Sequence, residues 1–247
     1  MATALTDPKV EDLRTEVAWA CRILAEHGYR DLTLGHVSAR DPHDPRKIWI
    51  KRRGLTLAEI EPGDVIAVDL DNHPEGATPE MHLETVLHTE VYRRREDVTA
   101  IAHGHPPYST ALGATDAPLL HLTHDAVLFD RGVATFENAD LITEVSQAEQ
   151  VADALGENRA VLMRNHGVLV AGADVRWLVL TAVTLERAVM LQSIAMTLGN
   201  PRPIEEAMLE DLNRRKYDDF LVNEYWDAWV RELCRRGIGI KASNKEA

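Results

Sequence analysis

The sequence predicts an α/β fold. Segments with apolar residues at helical spacing alternate with short apolar runs that read as strands, and Gly, Pro and Asp clusters punctuate them. A length of 247 residues is large for one core but within the range of a single α/β unit. No internal repeat, low-complexity segment or domain boundary interrupts the pattern. We therefore expect one domain over 1–247, with 204–247 as a C-terminal helical tail.

Residues 8–27 place Val10, Leu13, Val17, Cys21 and Leu24 at helical spacing, with Gly28 where a C-cap stands. Strand-like runs follow at 47–51 (KIWIK) and 64–70 (DVIAVDL), with turn chemistry at Pro62-Gly63-Asp64. Residues 80–94 predict a helix that feeds a strand over 98–103. A further helix pattern covers 140–155, with Asp140 as its N-cap. Asn165-His166-Gly167 predicts a tight hairpin turn, followed by a long helix over 174–198 that Pro201 and Pro203 end. The tail 204–236 carries Met208, Leu212, Tyr217, Phe220, Leu221, Tyr225, Trp226 and Trp229. It reads as helical packing against the body or a neighbouring subunit.

Composition excludes several classes. A net charge of −13 argues against nucleic-acid or anionic-membrane partners, which need a basic face. The two cysteines, Cys21 and Cys234, lie far apart in helical patterns and read as small hydrophobes rather than a disulfide framework. The first twenty residues contain acids and lack a signal-peptide core. The longest apolar stretch, 177–198, is broken by Glu186 and Arg187, so no membrane span is expected. A cytoplasmic location follows as the expectation.

The chemistry concentrates on histidine. His103 and His105 lie in AIAHGHPP and His166 in VLMRNHGVLVAG, each at the end or turn of an apolar run. In a strand, residues i and i+2 share a side, so His103 and His105 can grip one ion. A third imidazole from another strand completes a three-nitrogen face with an open position. The bland alternative is that histidines in a chain holding 11 of them are solvated or hydrogen-bonded in a core. Glu84 falls on one helical face with Glu80 and His88 at i, i+4, i+8. On spacing alone such a glutamate is a solvated surface charge.

Four segments together resemble the class II aldolase/adducin family: TLGHVSARDP (33–42), ETVLHTEVYRRREDVTAIAHGHPP (84–107), AVLMRNHGVLVAG (160–172) and LTAVTLERAVMLQSIA (180–195). The resemblance implies a three-layer α/β/α domain around a largely antiparallel sheet, assembled as a homotetramer with sites between subunits. It also implies one divalent metal ion per subunit, zinc or manganese, held by His103, His105 and His166. Glu84, nineteen residues before the first histidine, takes the acid/base position. In such a site the ion binds two substrate oxygens and stabilises the anion formed when a neighbouring C–C or C–H bond breaks. His82 and His88 read as supporting residues rather than ligands.

Departures from the sugar-phosphate aldolases narrow the reading. Those members typically show Gly-Asn-Val-Ser, Thr-Pro-Ser-Gly and Ser-Ser where this chain has Gly35-His36-Val37-Ser38, Lys51-Arg52-Arg53-Gly54 and His82-Leu83. The resemblance places His36, Ser38, Arg52 and Arg53 as substrate contacts, and guanidinium groups suit planar carboxylates. The alternative for the basic run is a solvated turn. The GHVSAR and HLETVLHTEVY forms look more like the family's decarboxylases of hydroxyaromatic acids such as dihydroxyphthalate. His124 falls near the place where aldolases bring a tyrosine from the neighbouring subunit, and is a candidate proton donor. The leading expectation is a metal-dependent decarboxylase of a small carboxylate substrate. A metal-dependent aldolase and a non-enzymatic adducin-like scaffold are the alternatives.

Overall fold

A computed structural model of the protein describes residues 8–71 and 81–240. Its centre is a seven-stranded sheet. The strands are β1 (His36–Arg40), β2 (Lys47–Lys51), β3 (Val65–Asp69), β4 (Ala100–Gly104), β5 (Ala134–Phe136), β6 (Ala160–Met163) and β7 (Gly167–Gly172). Their spatial order is β3-β2-β1-β4-β7-β6-β5, and every pairing is antiparallel except β5 with β6. The helices are α1 (Pro8–Glu26), α2 (Thr85–Arg94), α3 (Pro107–Gly113), α4 (Val145–Leu155), α5 (Val175–Leu198), α6 (Glu206–Lys216) and α7 (Asp219–Arg235).

Strand alternation divides the core into two apolar clusters, one on each face of the sheet. Ala100 and Ala102 of β4, with Val168 and Val170 of β7, pack against α1, α5 and α7. Ile101, Leu169 and Ala171 point the other way, onto α2 and α4. The result is the three-layer α/β/α arrangement around a mostly antiparallel sheet that the family resemblance implies.

Element by element, the expected helices and strands are present, with informative shifts. Gly28 takes a φ of +104° just past α1, the left-handed turn that glycine allows. Strand β1 lies in a segment with no apolar run. Its Val37 and Ala39 join the α1 side of the core, while His36 and Ser38 face α2 and are buried too. Helix α2 starts at Thr85, with Glu84 at its N-cap position in non-helical backbone. The i, i+4, i+8 face expected for Glu80, Glu84 and His88 is therefore absent at Glu84, and Glu80 lies outside the described residues. Helix α4 starts at Val145, not near 140. Its cap is Glu144, in a reciprocal capping box with Gln147, and Asp140 is not the N-cap. Helix α3 and strand β5 are too short for periodicity to reveal.

The hairpin around His166 forms as expected. Met163 and Gly167 are its last pair, and Asn165 takes a φ of +53°, which asparagine tolerates better than most residues. Helix α5 begins where Asp174 accepts a hydrogen bond from the Trp177 amide at 2.7 Å. Although α5 is long and apolar enough to cross a membrane, 67% of its most apolar window is buried inside the protein. It is a core helix. In the tail, Tyr217, Val222, Trp226 and Leu233 complete the α1/α5 side of the core, so α6 and α7 pack on their own body.

Gly172 shows how tightly the layers meet. A Cβ there would stand 2.5 Å from the Leu178 amide nitrogen, 2.7 Å from its Cα and 2.8 Å from the Asp174 carbonyl, all backbone atoms at the start of α5. Gly172→Ala should therefore lower stability by about 1–3 kcal/mol through overpacking. A urea midpoint equal to that of the unaltered protein would contradict this close approach.

Candidate metal centre

Strand β4 ends at the centre of the sheet with His103, whose partners across the ladder are His36 on β1 and Leu169 on β7. His105 follows just past the strand, and the β6–β7 turn brings His166 alongside. The ring centroids lie 5.0 Å apart for His103 and His105, 5.1 Å for His103 and His166, and 5.4 Å for His105 and His166. One ring nitrogen from each falls within 4.8 Å of the others, so the three can hold one metal ion. A second group of the same kind joins His36, Glu84 and His103.

Unpartnered polar atoms test whether the residues fit an ion. His103 is 1% exposed, yet neither of its ring nitrogens has a hydrogen-bond partner, and Nδ1 of His166 also lacks one. Leaving such groups unpaired costs about 1–3 kcal/mol each. Nε2 of His103, buried and unpartnered, faces Glu84 together with Nε2 of His166, and such a meeting of imidazole nitrogens and a carboxylate suits a cation. His105 is oriented differently. Its Nδ1 lies 2.6 Å from Oδ2 of Asp31, which also accepts the His105 amide at 3.2 Å. The carboxylate thereby holds the Nδ1 proton and turns Nε2 outward as a lone-pair donor. Burial acts to raise the Asp31 pKa, but the bond and charge of His105 outweigh it, and the net shift is downward.

Glu84 faces this cluster from the start of α2. Its Oε1 accepts the Ile142 amide at 3.1 Å and lies 3.5 Å from Nε2 of His166, while Oε2 lies 3.7 Å from Nε2 of His103. Burial raises its pKa, as suits a carboxyl that holds and releases a proton.

Three glycines let these groups meet. A Cβ on Gly104 would stand 2.8 Å from the Tyr29 ring, one on Gly35 2.9 Å from the Asp31 carboxylate, and one on Gly167 2.5 Å from the His105 ring.

Behind the cluster runs a row of buried polar residues. His36 Nδ1 lies 2.7 Å from His88 Nε2, His88 Nδ1 2.6 Å from Ser38 Oγ, and Ser38 Oγ 2.9 Å from the Tyr92 hydroxyl. Lys51, fully buried, donates to the Thr33 and Gly35 carbonyls at 3.0 and 2.9 Å and lies 3.4 Å from His82 Nε2. Burial pulls the Lys51 pKa down to about 8, which leaves it charged at neutral pH. Burial likewise lowers His82 and His88 to about 3 and His166 to about 4, and drives His36 and His103 well below the usual imidazole range.

The other expected site residues fare unequally. Ser38 and His36 are present in the row behind the cluster. Arg52 is not brought to the histidines: it lies one residue past β2, and its Nε donates to Asp64 at 3.0 Å. Arg53 is exposed on the turn, although its charge reaches His82. The cation that this basic run delivers to the interior is Lys51. His124 is exposed and does not join the cluster in its own chain, and its carbonyl accepts the Tyr217 hydroxyl at 3.0 Å. Sequence reasoning singles out neither Asp31 nor Tyr92, and reads Lys51 only as part of a basic turn. Gly35 and Gly104 are the sequence's only trace of Asp31, as positions where its carboxylate and Tyr29 need room.

A cavity of about 650 Å³ is lined by residues including Tyr108, Met190 and Trp229 and shares none with the histidine cluster. Its buried carboxylate, Glu186, already accepts from the Tyr108 amide, the Ser109 amide and the Ser109 hydroxyl, each at 2.8 Å. Unpartnered buried groups gather instead at the histidines.

The neutral histidines have a consequence for acid stability. His82 and His88 titrate near the ordinary 6.5 when unfolded and near 3 when folded. Below pH ~6.5 the unfolded chain binds protons that the folded chain refuses, so their stabilisation is complete above that value and lost progressively toward pH 3. The urea midpoint should fall from pH 7 to pH 5. A midpoint that holds or rises over that interval would show these rings to be protonated in the folded protein.

Comparisons with known proteins agree with this geometry. The family model for the Class II Aldolase and Adducin N-terminal domain matches residues 15–193. A 3,4-dihydroxyphthalate decarboxylase from Arthrobacter keyseri is 33% identical over 194 residues, 70% of this chain and 74% of the relative. An L-fuculose phosphate aldolase from Methanococcus maripaludis is 26% identical over 184 residues, 74% of this chain and 98% of the relative. Among solved structures, an aldolase II superfamily protein from Pseudomonas syringae superposes with a TM-score of 0.87 at 25% identity, covering 96% of this chain and 98% of that one. Decarboxylation and aldol cleavage are both carbon–carbon lyase reactions. With the family model matching residues 15–193, most of the chain, this protein belongs to the class II aldolase and adducin N-terminal domain family.

Proposed function

We propose that the protein is a divalent-metal-dependent decarboxylase of a small hydroxyaromatic or hydroxy-dicarboxylic acid, similar to dihydroxyphthalate. The observation that carries this reading is the meeting of His103, whose buried nitrogens have no partner, with His166, the Asp31-oriented His105, and Glu84. His103, His105 and His166 would hold the ion, with zinc or manganese suited to such donors. When bound, it would supply Lewis-acid polarisation of substrate oxygens such as a ring hydroxyl and its adjacent carboxylate.

The chain's own residues do the rest. Asp31 keeps the His105 proton on Nδ1 and so fixes the ring. Glu84, held by the Ile142 amide and raised in pKa by burial, would be the group that delivers a proton beside the histidines. When the C–C bond to the carboxylate breaks, its electron pair stays on the substrate carbon, carbon dioxide leaves, and that carbon takes the Glu84 proton. A second carboxylate on the substrate would meet Arg53, at the open end of the basic turn, since Arg52 is held by Asp64. His124 would reach such a site only from a neighbouring subunit, so its role as a second proton donor goes with a homotetramer whose sites lie between subunits. The acidic chain and the buried α5 fit a cytoplasmic enzyme with no nucleic-acid or membrane partner.

One observation favours the aldolase as a second reading. With Arg52 turned to Asp64, the basic turn offers less to a dicarboxylate than its sequence suggests, and cleavage to an aldehyde needs no second carboxylate. An adducin-like scaffold would have no use for unpartnered buried imidazoles.

These readings separate in the test tube. The purified protein should hold about one divalent ion per chain by elemental analysis, and alanine at His103, His105 or His166 should remove ion and activity together. Incubation with 3,4-dihydroxyphthalate should release carbon dioxide, whereas aldehyde formation from hydroxy-acid substrates would select the aldolase. Glu84→Gln should keep the fold and the ion but slow turnover about 10²–10⁴-fold. Unchanged turnover would move the acid role elsewhere, His124 first. Light scattering should give a tetramer, and a fully active monomer would exclude His124 from the chemistry.

A further inference from the structure

The buried row behind the cluster has a direction. Ser38 is 0% exposed, His88 0%, His36 1% and Tyr92 1%, and among the described residues the side-chain hydrogen bonds of this row run between its own members. Ser38 has a single hydroxyl proton and stands between His88 Nδ1 and the Tyr92 hydroxyl. With neutral rings there are two complete arrangements. In the first, Tyr92 donates to Ser38, Ser38 donates to His88 Nδ1, and His88 donates from Nε2 to His36 Nδ1. Every proton within the row then has an acceptor, and the remaining His36 proton sits on Nε2, at the end of the row that borders the Glu84 carboxylate. In the second, all of these bonds reverse. His36 donates from Nδ1, His88 from its own Nδ1, Ser38 donates to Tyr92, and the phenol proton is left with no acceptor among the described residues. If Tyr92 and His88 both donate to Ser38, the serine proton is orphaned instead. A buried, unmatched hydroxyl proton costs about 1–3 kcal/mol, roughly 5- to 150-fold in population. The first arrangement wins.

We propose that the Tyr92–Ser38–His88 row fixes His36 as its Nε2–H form, making it a hydrogen-bond donor to an anionic oxygen of the substrate and not a ligand to the metal. This rests on the decarboxylase or aldolase reading for the existence of a substrate, but not for the tautomer. Two further observations agree. One ring nitrogen of His36 lies within 4.8 Å of a Glu84 oxygen and of a His103 nitrogen, so His36 borders the place where substrate oxygens would lie. Lys51 stands behind, 3.4 Å from His82, whose ring centroid is 4.6 Å from that of His36, and its charge favours an anion on the far side of these rings. The second candidate group, His36 with Glu84 and His103, is thereby excluded as an ion site. Its His36 offers no lone pair, since Nδ1 accepts from His88 and Nε2 carries a proton. Ser38, His88 and Tyr92 are positioning residues that act through His36.

Histidine ¹⁵N NMR on the metal-free protein near pH 7.5 reads the tautomers directly, with His36→Asn and His88→Gln used for assignment. Both rings should be protonated on Nε2 and bare on Nδ1. Ser38→Ala, which removes the donor to His88, should turn the single His88 form into a mixture. A bare Nε2 on His36 in the unaltered protein would overturn the proposal. Ion content then separates donor from ligand. His36→Asn should load the same amount of Zn²⁺ as the unaltered protein, and loss of zinc would make His36 a ligand. In the zinc-loaded protein, His36→Ala should weaken 3,4-dihydroxyphthalate binding about 10- to 150-fold, the worth of one hydrogen bond to a charged oxygen. His36→Asn, which keeps a donor, should recover part of that loss. Equal affinity for His36→Ala and the unaltered protein would remove His36 from the substrate. If the unaltered protein loads no zinc, the functional reading falls while the NMR result still decides the tautomer.

Discussion

The register of β4 between β1 and β7 is the constraint on which the histidine cluster depends. His103 opposes His36 on one side and Leu169 on the other, so its ring stands on the α2/α4 face, beside Glu84 and His88. A slip of one residue along either ladder would exchange the two faces of the strand. His103 would enter the apolar layer under α1 and α5, and Ala102 would take its place. The apolar neighbours Ile101, Ala100 and Ala102 hold the register, because each has a fitted cluster to return to. The polar chemistry is thus positioned by residues that take no part in it.

The same alternation explains what the sequence shows and what it hides. The long helices and the apolar strands announce themselves through periodicity, and the α5 boundaries are read almost to the residue, since Asp174 is a true side-chain cap. The three histidines that meet are legible because a His-x-His at a strand end, a histidine in a hairpin turn and the family resemblance together single them out of 11. Strand β1 is hidden by its own function, because two of its five residues, His36 and Ser38, are polar in the interior. Glu84 is identified through the family resemblance and not through its local pattern, which points to a helix interior that the backbone does not adopt.

Residues that act across the chain are the least legible. Asp31 and His105 are 74 positions apart, and nothing local marks that aspartate as the partner of an imidazole. The basic run misleads for the opposite reason. Three adjacent cations suggest one patch, but pairing with β3 directs them differently: Lys51 turns to the interior, Arg52 to Asp64, and Arg53 stays in the open. Composition cannot anticipate this, because it depends on which strand edge meets which neighbour.

The cluster draws Asp31, Glu84, His103, His105 and His166 from loops, strand ends and a hairpin scattered over more than half of the chain. No local unit, not the β6–β7 hairpin and not α2, contains more than a fragment of it. Fraying of β1, β4 or the hairpin therefore dismantles the donor set before the outlying helices need be disturbed. Spectroscopy of a reporter ion such as Co²⁺ placed there would follow the integrity of the central sheet rather than average helix content. During denaturation its signal should vanish with the most cooperative transition, while α6 and α7 lose structure on their own schedule.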